Sequence, residues 1–156
     1  MSRFSATTTA ESVVAADRQA IWDALVDPAL VARMTPFVRS IGARDDTWSW
    51  QLSGLEVLGV GIAPAFTERM TFTDLERIQF DHQAPPGTTE RTGVNGWYEL
   101  AEVADGTRLR TTMEVCADLP LPRISSPAVT ATMKRVMATM GDRFSRNLLD
   151  HLGVRS

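Results

Sequence analysis

A chain of 156 residues with 44 % hydrophobic and 22 % charged content is the size of one ordinary domain and carries enough apolar side chain to bury a core, so residues 1–156 are expected to form a single domain. Its formal charge of −3 at pH 7 and the scattering of its basic residues along the chain argue against a phosphate-neutralising surface, so no nucleic-acid partner is expected. No stretch approaches the roughly 20 apolar residues of a membrane span, and Met1-Ser-Arg-Phe-Ser-Ala-Thr lacks the apolar centre of a secretory signal, so stable membrane insertion is not expected.

The first element is a strand, Phe4 to Val14, alternating and rich in threonine and valine. A helix follows, with Asp17 as N-cap and Ile21, Trp22, Leu25 and Val26 as its apolar stripe, and it stops at Asp27-Pro28. A second short helix, Ala29 to Met34, ends before Pro36. The period then changes to two, and Phe37 to Ala43, Thr47 to Gly54, Phe66 to Asp74, Arg77 to Ala84, Gly93 to Val103 and Thr107 to Leu119 all read as strands. Arg44-Asp45-Asp46 and Ala104-Asp105-Gly106 are tight hairpin connections, and Leu52 to Phe66 is an apolar, glycine-broken loop. Pro120 and Pro122 end the last strand, after which Ser125-Ser126-Pro127 supplies a capping serine and a first-turn proline for a helix from about Pro127 to Leu152.

On that helix Val129, Met133, Met137, Met140, Phe144, Leu148 and Leu152 share one face. Thioether side chains re-pack around different shapes, so the stripe suits either a plain core or the lining of a pocket for variable greasy molecules. A helix of about 26 residues spans about 39 Å and is long enough to lie across a curled antiparallel sheet. The expected architecture is α+β: a curved seven-stranded antiparallel sheet wrapped on a long C-terminal helix, with two short helices after the first strand.

In this order of elements the chain resembles the START-like, Bet v 1-like helix-grip superfamily, also called SRPBCC, which includes polyketide cyclases, lipid-transfer proteins and a group of carbon monoxide dehydrogenase accessory proteins. The resemblance covers nearly the whole chain and rests on Ala20-Ile21-Trp22-Asp23-Ala24-Leu25 with Asp27-Pro28, on Gly96-Trp97-Tyr98-Glu99-Leu100, on Gly106-Thr107-Arg108-Leu109 and on Leu119-Pro120-Leu121-Pro122. It implies a deep apolar cavity between sheet and helix. It implies no particular reaction, because the fold serves binders, carriers and enzymes alike.

Strand parity names the inward-facing candidates, since residues two apart share a face. They are Trp48 and Trp50, Met70 and Phe72, Phe80, and Met113, with Met133, Met137 and Met140 opposite on the helix. The same parity draws Glu68, His82, Tyr98 and Thr111 inward. A Glu68/His82 pair is a candidate acid–base couple, set against a solvated His82 near its strand end. Cys116 shares parity with Arg110, Thr112 and Glu114, which places it on the outer face without a histidine partner. It cannot form an internal disulfide, which fits a reducing cytoplasm. No Cys/His cluster has zinc spacing, Gly54 to Gly61 lacks a phosphate-loop lysine, and Asp45-Asp46 reads as a turn, so no metal and no cofactor are expected.

Three functions stay open on these residues. The leading one is a cytoplasmic protein that binds a small hydrophobic molecule, a lipid, polyketide-like or isoprenoid compound. The second is an aromatase/cyclase-type enzyme using Glu68, His82 or Tyr98 to move protons. The third is an accessory or assembly protein, of the kind the carbon monoxide dehydrogenase group represents, acting through an exposed apolar patch around Leu55 to Phe66. No tight catalytic signature is present.

Overall fold

The computed structural model describes residues 1–154. Strand β1 (Ser2–Val14) leads into helices α1 (Arg18–Leu25) and α2 (Pro28–Met34). Asp17 and Asp27 cap them, accepting from the backbone N–H of Ala20 and Leu30, and Asp27 thus marks both the end of one helix and the start of the next. Strands β2 (Val38–Arg44), β3 (Thr47–Leu52), β4 (Leu55–Val57), β5 (Val60–Ile62), β6 (Ala65–Thr73), β7 (Arg77–His82), β8 (Thr92–Val103) and β9 (Gly106–Leu119) follow. A 3-10 turn at Arg123–Ser125 then leads into helix α3 (Ser126–Leu152).

The main sheet has seven strands in the order β1-β9-β8-β7-β6-β3-β2, antiparallel throughout. Its register aligns Phe4 with Ala117, Ala6 with Val115, Gly96 with Met113, Tyr98 with Thr111, Ile78 with Tyr98, Met70 with Phe80, and Trp48 with Glu68. These rows form the face that receives α3. Every strand expected from the alternation is present, with ends trimmed where prolines and glycines intervene: β3 stops at Leu52 and β7 at His82.

Two local expectations are corrected. The stretch between β3 and β6 is a second sheet, the hairpin β4–β5, turned by Leu58 (φ 49) and Gly59 (φ 82). Val57 from this hairpin is buried against Phe4, Leu119, Val129 and Met133, so the hairpin straps the β3–β6 side of the sheet to the start of α3. Ser125 does not cap α3 with its side chain, because the preceding turn already holds it in helical conformation (φ −78, ψ −2). Gly153 closes the far end in the left-handed conformation, its N–H bonding to the carbonyls of Leu149 and Asp150.

Helix α3 approaches the sheet most closely along β1, where the Thr130 hydroxyl donates to the Ser5 carbonyl at 3.5 Å. Val129 and Met133 are buried at its first turns and Leu148 near its end. Between them Met137, Met140 and Phe144 pack against the core but stay only partly buried.

Candidate functional site

The expected lining residues divide into buried and partly buried ones. Trp48, Met70 and Phe80 are buried with Ile78 and Phe66 in one core cluster, and Met133 is buried in another with Phe4 and Leu119. These four expected lining residues have therefore closed into packing. Trp50, Tyr98, Met113, Met137 and Met140 remain partly accessible at the edges of these clusters. Phe72 departs from the expected lining: at 41 % exposure it lies beyond this region, with its ring 6.2 Å edge-on from Trp22 and 6.5 Å from Trp48. Thr111 faces inward, but its hydroxyl already donates to the Trp97 carbonyl at 2.9 Å.

Three polar side chains meet in this interior. Glu68 is 2 % exposed and is the only Asp, Glu, Lys or Arg among the buried described residues. Burial pushes its carboxyl from 4.5 up to about 8, opposed by the nearby Trp50 indole and reinforced by the charge of Asp81. The Trp50 indole N–H faces this carboxyl as a donor and so favours its charged form, although the contact falls outside strict hydrogen-bond geometry. The Trp50 ring is fixed by stacking on Phe66, centroids 5.7 Å apart and planes at 17°. Tyr98 packs its ring 5.8 Å from Phe80, and burial together with Glu68 holds its hydroxyl up at about 12. At neutral pH the interior thus offers a neutral carboxylic acid, a phenol and an indole N–H within an apolar lining.

His82 does not join them. The register places it opposite Glu68, but its ring turns to Glu90, with Nε2 2.9 Å from Oε1. Gly93 lies against the ring so tightly that a Cβ there would overlap it, which fixes the ring's place. Glu90 also accepts the N–H and the hydroxyl of Thr67, each at 2.8 Å. The acid–base couple expected from parity is replaced by this His82–Glu90–Thr67 cluster. Glu90 sits in a Pro/Gly-rich loop with no periodicity, so no pattern in the sequence marks it.

Other candidates resolve simply. Cys116 is a free, half-buried thiol, pushed up by burial and by Glu114, the reverse of what a nucleophile needs. Among the described residues no group of three or more His, Cys, Asp or Glu side chains is placed to hold a metal ion, and no helix is long and apolar enough to cross a membrane. The hairpin β4–β5 buries Val57 and leaves Leu58 exposed at its tip. A hollow of about 470 Å³ lies on the sheet face turned away from α3, but it is lined by the ion-paired Arg77 and Glu99 beside Arg110 and is not part of this interior.

No protein-family model matches the sequence, and no curated protein does. Solved structures do match in shape. A START superfamily protein from Mycobacterium smegmatis superposes with a TM-score of 0.67 at 13 % identity, over 94 % of this chain and 97 % of that one. The chain has the helix-grip fold. The Zhui aromatase/cyclase from Streptomyces sp. R1128 shares it with a TM-score of 0.66 at 12 % identity, over 96 % of this chain and 94 % of its own. The di-domain aromatase/cyclase BexL of the BE-7585A biosynthetic pathway gives 0.67 at 16 % identity over 98 % of this chain, which spans 52 % of BexL's length.

Proposed function

We propose that this helix-grip chain takes up a small, mainly apolar molecule between the middle of α3 and the inner face of β3, β6, β8 and β9. The observation that carries this reading is the uneven burial along α3: Met133 and Leu148 are sealed, while Met137, Met140 and Phe144 between them are not. Opposite them Trp50, Tyr98 and Met113 are likewise incompletely covered. A methionine- and aromatic-lined gap of this kind suits an apolar guest of lipid, polyketide-like or isoprenoid character. Net negative charge speaks for a small-molecule guest over a nucleic acid, and the free Cys116 suits a reducing cytoplasm.

The test is native mass spectrometry of the protein purified from its own host, followed by extraction and identification of whatever it retains. A near-stoichiometric apolar compound supports the reading. A clean apo mass, combined with no uptake of apolar probes, overturns it.

A second reading, a cyclase acting on a carbonyl-bearing chain, is favoured by one observation: the buried Glu68, protonated up to about pH 8, lies beside Tyr98 in the same interior. Several similarly folded proteins are aromatase/cyclases. Turnover of an extracted ligand would separate enzyme from carrier.

A further inference from the structure

The two edges of the main sheet are finished differently. β2 is short and carries Arg39 and Arg44, its ladder with β3 shifts register between Val38 and Ser40, and α2 packs against it. Each of these features blunts an edge against further pairing. β1, at the other edge, runs for 13 residues in unbroken register with β9, with no proline and no bulge.

The free side of β1 follows from its neighbours. On β9 the Asp118 N–H bonds to the Arg91 carbonyl at 2.8 Å, on the β8 side, so the even residues of β9 turn their backbone groups to β8 and the odd ones turn theirs to β1. Thr111, Met113, Val115 and Ala117 stand opposite Ala10, Thr8, Ala6 and Phe4. The even residues of β1 are thereby the ones bonded to β9, and the odd residues point N–H and C=O off the sheet. The Ser5 carbonyl agrees, since it reaches the Thr130 hydroxyl of α3 at 3.5 Å. Past it, no backbone group among the described residues outside the β1–β9 ladder takes those of Thr7, Thr9, Glu11 or Val13, and all four residues are exposed. Ala10 and Ser12, on the face that receives α3, are exposed as well, so the helix leaves this half of the edge uncovered.

On the outer face a row of alternating charge crosses four strands and stops at the same edge. Arg77, Glu99, Arg110 and Glu11 stand side by side on β7, β8, β9 and β1, with Arg77 3.2 Å from Glu99 and Arg110 4.0 Å from Glu11. A second row ends in Asp118 and Arg3, 3.4 Å apart. One row thus meets the edge with a negative charge and the other with a positive one, equally far from Thr7. A two-fold axis at Thr7 sets Arg3 opposite Glu11 of a second copy, twice over, and the row then runs Arg77, Glu99, Arg110, Glu11, Arg3, Asp118 with its signs alternating throughout. Moving the axis one residue either way sets Arg3 against Thr9 or Val13 and loses both pairs.

We propose that β1 is a homodimer edge, on which a second copy lays its own β1 antiparallel across a two-fold axis at Thr7. The interface is isologous. The two Thr7 residues exchange N–H to carbonyl bonds across the axis, and Ser5 does so with Thr9, its carbonyl having a second lone pair beside the one facing Thr130. A second copy is favoured over a foreign strand because the edge is complementary in charge to itself.

Sedimentation of the wild-type chain over roughly 1–200 μM is expected to show an average mass climbing from one chain toward two, as a small, transient interface gives. Thr7→Pro removes an N–H that β9 does not use, so it is expected to keep the wild-type melt and remain monomeric over that range. Arg3→Glu alone and Glu11→Arg alone each set like charges opposite one another at both contacts, and each is expected to weaken self-association about tenfold. Mixed in equal amounts, the two variants regain opposite charges at both contacts, and a mixed dimer close to wild-type affinity is expected. A wild-type chain that stays monomeric throughout overturns the proposal and leaves the edge to a foreign strand or to none. A dimer whose affinity survives Thr7→Pro overturns the edge. A dimer that both charge variants leave unchanged, or a mixture no tighter than either variant alone, overturns the axis at Thr7. Should Thr7→Pro melt early, the charge variants and their mixture decide.

Discussion

Nε2 of His82 lies 2.9 Å from Oε1 of Glu90, and this contact ties the loop after β7 back onto the sheet. The same carboxylate accepts the backbone N–H and the hydroxyl of Thr67 on β6, and the His82 N–H donates to Oδ1 of Asn95 on β8. Three strands are joined through one loop residue and its histidine partner.

Glu90→Ala should therefore be among the more damaging single changes outside the core. It strands the Thr67 N–H and hydroxyl and the His82 ring, at least partly buried, and the expected loss is roughly 2 kcal/mol. Urea denaturation measures it. Glu90→Gln retains an acceptor and should lose less; an Ala variant as stable as wild type would show that water replaces the carboxylate without loss.

Glu68 gives stability a definite pH dependence. Its carboxyl titrates near 4.5 when unfolded and near 8 when folded, so between those values the folded chain binds the extra proton. Stability is then greatest at or below about pH 4.5 as far as this group is concerned, and falls as pH rises through 8, with a slope of at most about 1.4 kcal/mol per pH unit. Glu68→Gln removes the slope and should exceed wild type in stability at pH 8. Urea midpoints at pH 5, 7 and 9 for both proteins give the comparison, and parallel profiles would mean that Glu68 finds a counter-charge in solution.

Gly96 on β8 has no room for a side chain: a Cβ would collide with the Thr112 carbonyl and lie 2.8 Å from Cε2 of Phe80. Gly96→Ala should cost roughly 1–3 kcal/mol by overpacking. Adding Phe80→Leu should recover only part of that, because the carbonyl contact is backbone. Full recovery would place the whole strain on the Phe80 ring.

The alternation and the turn residues locate every strand of the main sheet and all three helices, because burial of one sheet face and one helix stripe writes a period into the sequence. The strands β4 and β5 escape because three residues are too short to establish a period; Leu58-Gly59 between Val57 and Val60 is the available turn signal. Parity also places Glu68 and Tyr98 on the inner face. It fails for His82, because parity fixes the direction of Cβ and the ring is then claimed by Glu90. It fails in another way for Phe72, since facing inward near a strand end does not place a side chain under the helix. The pairing of Glu90 with Thr67 joins residues 23 apart through a loop, and local pattern carries no record of such contacts.

The methionine stripe offers the sharpest separation of core from gap. Met133 is 7 % exposed and packs among Phe4, Leu119 and Val129, so Met133→Trp forces extra volume into filled space and should cost roughly 1–3 kcal/mol. Met137 lies one turn further along the same face and is only partly buried. On the uptake reading a tryptophan there enters the space proposed for the guest, so Met137→Trp should melt within about 0.5 kcal/mol of wild type, as substitutions away from packed sites do. The same substitution should abolish binding of 2-ethylnaphthalene, because the indole occupies the space the probe needs. If Met137→Trp is as destabilising as Met133→Trp, the middle of α3 is closed core and the uptake reading falls; if it is tolerated and the probe still binds, the guest sits elsewhere along the helix, toward Met140 and Phe144.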